Sequence, residues 1–144
     1  MKDRAKQAYM KAAETFAELS YAVRLKVGAI VVKDDRIISI GYNGMPAGWD
    51  NNCENHVGFI KSTPVLNSKP EVLHAETNAI AKLARSNESG LGADMFITHA
   101  PCMDCAKLIY QSGIKRVIYG TAYRDNTGIK FLEHCNIPVV QLDV

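Results

Sequence analysis

The chain has 144 residues, enough for one ordinary domain with its own core, and no repeat or low-complexity tract marks a second one. Seventeen Lys and Arg against fifteen Asp and Glu leave a formal charge of +2, too mild for nonspecific nucleic-acid binding, although a few placed cations can still hold one phosphate. The start is charged from its second residue, which speaks against a signal peptide or membrane span and leads us to expect a cytoplasmic protein, and four cysteines without secretory context argue against a disulfide framework.

From Asp3 to about Leu19, apolar or small residues recur at Ala5, Ala8, Tyr9, Ala12, Ala13 and Phe16 with Lys6, Lys11, Glu14 and Glu18 between them, which predicts an amphipathic helix. Two β-branched runs follow, Val27–Val32 and Ile37–Ile40; Lys33-Asp34-Asp35-Arg36 between them suits a hairpin turn. From Gly41 to Pro70 the pattern dissolves into Gly, Asn, Pro and Ser, with the single Trp at position 49. A loop of this length in a compact domain is usually functional or mobile, and its first part is expected to wall the active site.

Helical spacing resumes from Glu71 to about Asn87, with Val72, Ala75, Ala79 and Leu83 on one stripe, Ile80 and Ala84 beside it, and Gly90 and Gly92 past its end. Ala93–Thr98 reads as a short strand, and Pro101 fits the first turn of a helix that runs to near Gly113. Then come strand Arg116–Tyr119, a loop through Tyr123 and Arg124, a helix from about Thr127 to Cys135, and a last strand Val139–Leu142. Strands alternating with helices in this half imply parallel, right-handed crossovers, whereas the first half offers an antiparallel hairpin. Together they predict a mixed five-stranded sheet with helices on both faces.

Two short runs on this frame carry chemistry: His74-Ala75-Glu76 and Pro101-Cys102-Met103-Asp104-Cys105. Thiolate and neutral imidazole are ligands zinc prefers, and a catalytic zinc keeps three protein ligands with the fourth position open; His74, Cys102 and Cys105 make three. Cys102 and Cys105 lie on one helix face near an N-terminus, whose partial positive charge favours thiolates. His74 falls in the first turn of its predicted helix, and Glu76, two residues on, points off that face toward the role of proton carrier. A thioredoxin-like redox pair is the competing reading of the two cysteines, and a solvated surface carboxylate that of Glu76. A nucleotide-binding module with a structural zinc is the non-enzymatic alternative, and it would need a fourth protein ligand. Arg124, Lys26 and Arg24 are the cations best placed to hold a phosphate, whereas Arg85 reads as facing a subunit interface or solvent. Cys135, ending an apolar helical stretch, reads as a buried small hydrophobe.

H-x-E followed by P-C-x-x-C is the signature of zinc nucleobase deaminases. The flanking segments Gly41–Glu54 (GYNGMPAGWDNNCE) and Lys115–Ile137 (KRVIYGTAYRDNTGIKFLEHCNI) extend the match to nearly the whole chain, which resembles the deoxycytidylate (dCMP) deaminase family. The resemblance implies a single deaminase domain over residues 1–144 with an α/β fold, the cytidine deaminase-like three-layer α/β/α sandwich with a mixed five-stranded sheet. It implies hydrolytic deamination of dCMP to dUMP, with one catalytic Zn2+ per chain on His74, Cys102 and Cys105 and with Glu76 catalytic. Asn43 matches an asparagine that contacts the sugar and Tyr123 an aromatic beside the substrate; with Arg124 and Lys26 from the reading of the cations, and Ala75 between His74 and Glu76, they make the expected substrate-binding set.

Members of that family are often hexamers activated by dCTP and inhibited by dTTP. The implied partners are therefore a small deoxynucleotide, dCTP and dTTP effectors with Mg2+ accompanying the triphosphate, and further copies of the chain, with no nucleic acid and no membrane. The resemblance would transfer the effector site to Arg24, Lys26 or Gly44 in the early loops. Some relatives hold a second, structural zinc; Cys53 and His56, with His99, His134 and Cys135, offer no second paired set at ligand spacing, so one zinc is expected. The nearest rivals are a tRNA adenosine deaminase, which would need a basic surface for its RNA, and other cytosine or cytidine deaminases.

Overall fold

Alternation along three central strands decides the layers in the computed structural model, which describes residues 1–142. Ile30 and Val32 of β1 (Gly28–Lys33), Phe96 of β5 (Asp94–His99) and Ile118 of β6 (Arg116–Thr121) form one buried cluster with Met10 and Ala13 of α1 (Asp3–Ala17). Their neighbours Ala29, Val31, Met95, Ile97 and Val117 point the other way, as the period of two requires. There they meet Ala75, Ala79, Ile80 and Leu83 of α2 (Ala75–Ala84), Ala106 and Ile109 of α3 (Met103–Gln111) and Leu132 of α4 (Thr127–His134). Helices thus cover both faces of one sheet.

With β2 (Arg36–Tyr42) and β7 (Val139–Gln141), the strand order is β2-β1-β5-β6-β7. β2 and β5 both run antiparallel to β1, whereas β5, β6 and β7 are parallel, with α3 and α4 as the crossovers. The mixed five-stranded sheet and three-layer α/β/α architecture expected from the sequence are present. No described helix is long and apolar enough to cross a membrane.

Four local expectations need correction. The buried stripe of α1 runs through Met10, Ala13 and Ala17, and Ala8 is exposed, so the helix is rotated from the face its alanines suggested. α2 starts at Ala75 and not near Glu71, because Leu73 is held extended against Gly44 by two backbone hydrogen bonds, Leu73 N–H to Gly44 O (2.7 Å) and Gly44 N–H to Leu73 O (3.1 Å). α3 starts at Met103, which leaves Pro101 outside the first turn and makes Cys102 the N-cap. Finally, residues 41–70 hold an antiparallel hairpin, β3 (Glu54–Ile60) and β4 (Thr63–Ser68), that forms its own two-stranded sheet.

Two glycines allow close backbone approaches at the helix starts. A methyl group at Gly41 of β2 would overlap the Ala75 carbonyl, so strand and first helical turn touch backbone to backbone. Side chains then stitch α2 to β2 along its length: Ser39 Oγ donates to Ala79 O (2.6 Å), Asn78 Nδ2 to Tyr42 O (2.8 Å) and Lys82 Nζ to Ile40 O (2.7 Å). Gly128 plays the same part for α4, where a methyl would overlap the Pro101 carbonyl in the turn that carries Cys102.

Because no flexible side chain can yield at Gly41, Gly41→Ala is expected to cost about 1–3 kcal/mol, the usual range for overpacking. Urea unfolding checks this. A midpoint equal to the parent's would mean that α2 is free to move away from the sheet.

Candidate active site

The three candidate metal ligands stand at two helix starts. His74 caps α2 with extended backbone (φ −76°, ψ 153°), and Cys102 caps α3 in the same way (φ −74°, ψ 171°), with Cys105 in the first turn behind it. The donor atoms of His74, Cys102 and Cys105 all lie within 4.8 Å of one another. His74 Nδ1 is 3.2 Å from Cys105 Sγ and 3.7 Å from Cys102 Sγ. Ideal tetrahedral zinc–nitrogen and zinc–sulfur bonds would put such donors about 3.6 Å apart, so the three residues fit zinc. Among the described residues no further His, Cys, Asp or Glu donor joins the group, which suits a site that keeps one position open.

The two thiols differ sharply. Hydrogen bonds from Cys105 and His74 hold the Cys102 thiol far below its ordinary value, at about 4, whereas donating to Cys102 and burial push Cys105 up. A metal held here would take both sulfurs as thiolates and so release their protons. Glu76, in the first turn of α2, is only 5% exposed, and burial pushes its carboxyl up to about 7. A carboxyl so placed can hold or release a proton near neutrality.

His74, Glu76 and Cys102 open onto one cavity of about 480 Å³. Of the other residues expected from the sequence, Asn43, Ala75, Tyr123, Arg124 and Arg24 line it. Lys26 is not on the wall, although Leu25 and Val27 on either side of it are. Gly44 is occupied in its backbone pair with Leu73, directly before His74. The Asn43 side chain spans the neighbouring segment: Oδ1 accepts from Val27 N–H (2.9 Å) and Nδ2 donates to Leu25 O (2.8 Å). This leaves one amide hydrogen and one lone pair for a ligand.

Several wall residues carried no signal in the sequence. Ser68 and Lys69 come from the far end of the segment read as a loop, so both of its ends wall the cavity, while Trp49 is 55% exposed and off the wall. His99, at the end of β5, also lines it, with Nδ1 2.9 Å from Thr98 Oγ1, and burial pushes its pKa down. Behind the wall, Glu54 is 5% exposed, and its Oε2 accepts from Val23 N–H (2.9 Å) and Arg24 N–H (3.1 Å). Cys53 is buried nearby but belongs to no metal-ligating group among the described residues, and Cys135 is half-buried against the main core cluster.

Residues 3–121 match the family model for the cytidine and deoxycytidylate deaminase zinc-binding region. A deoxycytidylate deaminase of Enterobacteria phage T2 is 39% identical over 135 residues, covering 70% of this chain and 71% of that protein. ComE operon protein 2 of Bacillus subtilis (strain 168) is 33% identical over 139 residues, 96% of this chain and 71% of its own length. Among solved structures, the dCMP deaminase of cyanophage S-TIM5 in complex with dCMP and dUMP superposes with a TM-score of 0.87 at 43% identity, covering 99% of each chain.

With a three-donor site, loss of one thiolate leaves too few ligands. Cys102→Ala is expected to purify with less than about a tenth of the parent's zinc, since a single lost ligand costs much of the binding free energy. Metal analysis of the folded protein measures it, and full zinc occupancy would refute the ligand set.

Proposed function

We propose that this chain, which belongs to the cytidine and deoxycytidylate deaminase family, hydrolyses dCMP to dUMP with release of ammonia. The observation that carries the choice of substrate is the make-up of one cavity: Glu76, His74 and Cys102 share it with three cationic side chains, Arg24, Lys69 and Arg124, and with Tyr123. A free base has nothing for these cations to hold, whereas a nucleoside monophosphate presents two negative charges to them. About 480 Å³ is also in the range of small-molecule sites.

Zinc on His74, Cys102 and Cys105 would supply a Lewis acid that brings the pKa of water from about 15.7 toward roughly 7. Glu76 takes a proton from the attacking water and gives it to N3 of the cytosine as oxygen adds to C4. It then carries the second proton to the exocyclic amino group, so that the C4–N bond breaks, ammonia leaves and a carbonyl remains. Burial supports this double duty, because a carboxyl whose proton affinity is raised toward neutrality can both accept and deliver. Asn43, with its remaining donor and acceptor, is suited to a sugar hydroxyl, and Tyr123 offers a ring face at the wall.

The proposal extends to regulation and assembly: activation by dCTP with Mg2+, inhibition by dTTP, and a homo-oligomer. Gly44 is the residue through which an effector would reach the site, since its backbone pair with Leu73 ends next to His74. Arg24 is assigned to the substrate phosphate and not to the effector, because it lines the cavity.

Ammonia release measured in parallel from dCMP, dCTP, cytidine, cytosine and an RNA anticodon stem should show dCMP as the preferred substrate; preference for any other member of the panel would replace this reading. Glu76→Gln should keep its zinc and lose about 10²- to 10⁴-fold in turnover or more, as expected for one acid-base group used twice. Turnover within a few-fold of the parent would remove Glu76 from the mechanism.

A further inference from the structure

Arg24 is gripped from behind by a single rung of the β3–β4 hairpin. Glu54 and Ser68 are direct partners at the base of that hairpin. Glu54 Oε2 accepts the backbone N–H of both Val23 and Arg24, at 2.9 and 3.1 Å, and Ser68 Oγ accepts from the Arg24 guanidinium at 3.3 Å. Lys69 N–H, one residue on, bonds to Cys53 O at 2.8 Å and closes the base of the hairpin. One strand pair therefore holds the main chain and the head of the same arginine.

The chemistry of the grip is selective. A carboxylate is the side chain best able to take two adjacent N–H groups, and charge-assisted bonds of this kind are stronger than neutral ones. Burying it is costly, and its other oxygen, Oε1, has no hydrogen-bond partner among the described residues. The guanidinium meets a neutral hydroxyl, and among the described residues no carboxylate lies within ion-pair distance of it. Its positive charge is thus left for a ligand in the cavity that Arg24 lines.

We infer that Glu54 is a positioning residue for phosphate recognition: it fixes the Val23–Arg24 backbone so that the guanidinium, steadied by Ser68, meets the substrate's phosphate already in place. An arginine on an exposed loop would have to give up several rotatable bonds on binding, and holding its backbone and head beforehand removes part of that cost. This assignment rests on the monophosphate reading of the cavity. It also gives β3–β4, which lies outside the main sheet, a role in choosing the substrate and none in the reaction.

The test compares Glu54→Gln with the parent and with Arg24→Ala and the double variant. Glu54→Gln should raise the KM for dCMP about 10-fold or more, the effect of weakening hydrogen bonds to a charged group, with kcat and zinc content within about two-fold of the parent. Competitive inhibition by dUMP should weaken by the same factor, and inhibition by deoxyuridine, which lacks the phosphate, should not change. In the Arg24→Ala background the same substitution should have no further effect on KM. Glu54→Asp, which keeps the charge but is one methylene shorter, should fall between the parent and Glu54→Gln.

A KM within two-fold of the parent, a fall in kcat or zinc that accompanies it, equal weakening of dUMP and deoxyuridine, or full additivity with Arg24→Ala would each overturn the positioning role. A lower KM for dCMP in Glu54→Gln would overturn it too, since the carboxylate would then be acting only by repelling the phosphate. A parent protein that turns over another member of the substrate panel and not dCMP would overturn the proposed function, and this assignment with it.

Discussion

Two helix N-termini meet in this fold, and the arrangement of the site depends on their meeting. His74 caps one and Cys102 the other, so the donors sit where main-chain N–H groups are unsatisfied and partial positive charge accumulates. That field favours thiolate at Cys102 before any metal arrives. It also explains why a carboxyl as buried as Glu76 is tolerated in the first turn of α2, where the helix offsets part of its desolvation. Neither helix could reach the meeting point if a side chain stood at Gly41 or Gly128, because backbone carbonyls of Ala75 and Pro101 occupy that space.

Residue types and short spacings made the clustering of His74, Cys102 and Cys105 and the strands of the main sheet legible, because each is a local pattern with one dominant physical reading. The places where reading failed are those where the pattern was absent or a distant residue intervened. β3 and β4 are exposed on most of both faces, so they show no alternation of apolar and polar residues. Their two-residue turn puts Lys61 and Ser62 at φ 49° and 67°, a conformation that Asn-Gly would have announced and Lys-Ser does not. The start of α2 was read four residues early because Val72 continues the helical stripe, whereas the bridge to Gly44, 29 residues away from Leu73, decides the matter.

The cavity wall was legible in a different measure. Asn43 and Tyr123 came from resemblance and Arg124 from its place in the loop after Tyr123, and all three line the cavity; Lys26 came from proximity in sequence to the first strand, and its two neighbours line the cavity in its place. Ser68, Lys69 and Glu54 could not be found in this way. Each owes its place to the hairpin's return, which brings residue 68 opposite residue 54 and both of them to Arg24. No spacing rule links positions 24, 54 and 68.

Reaction and selection are consequently built from different materials. His74 and Glu76 stand at the start of a helix packed backbone to backbone on β2, and Cys102 and Cys105 at the start of one whose entry turn is packed the same way against α4, beside a core that is buried, so their mutual distances are tied to that packing. The cavity-wall segments are held by a few side-chain bonds to main chain: Asn43 to the segment with Leu25 and Val27, and Glu54 to Val23 and Arg24. Each such bond contributes only about 1–3 kcal/mol and can be lost without disturbing the core. A deaminase organised in this way can exchange one nucleotide preference for another through the wall of its cavity while His74, Glu76, Cys102 and Cys105 keep their geometry.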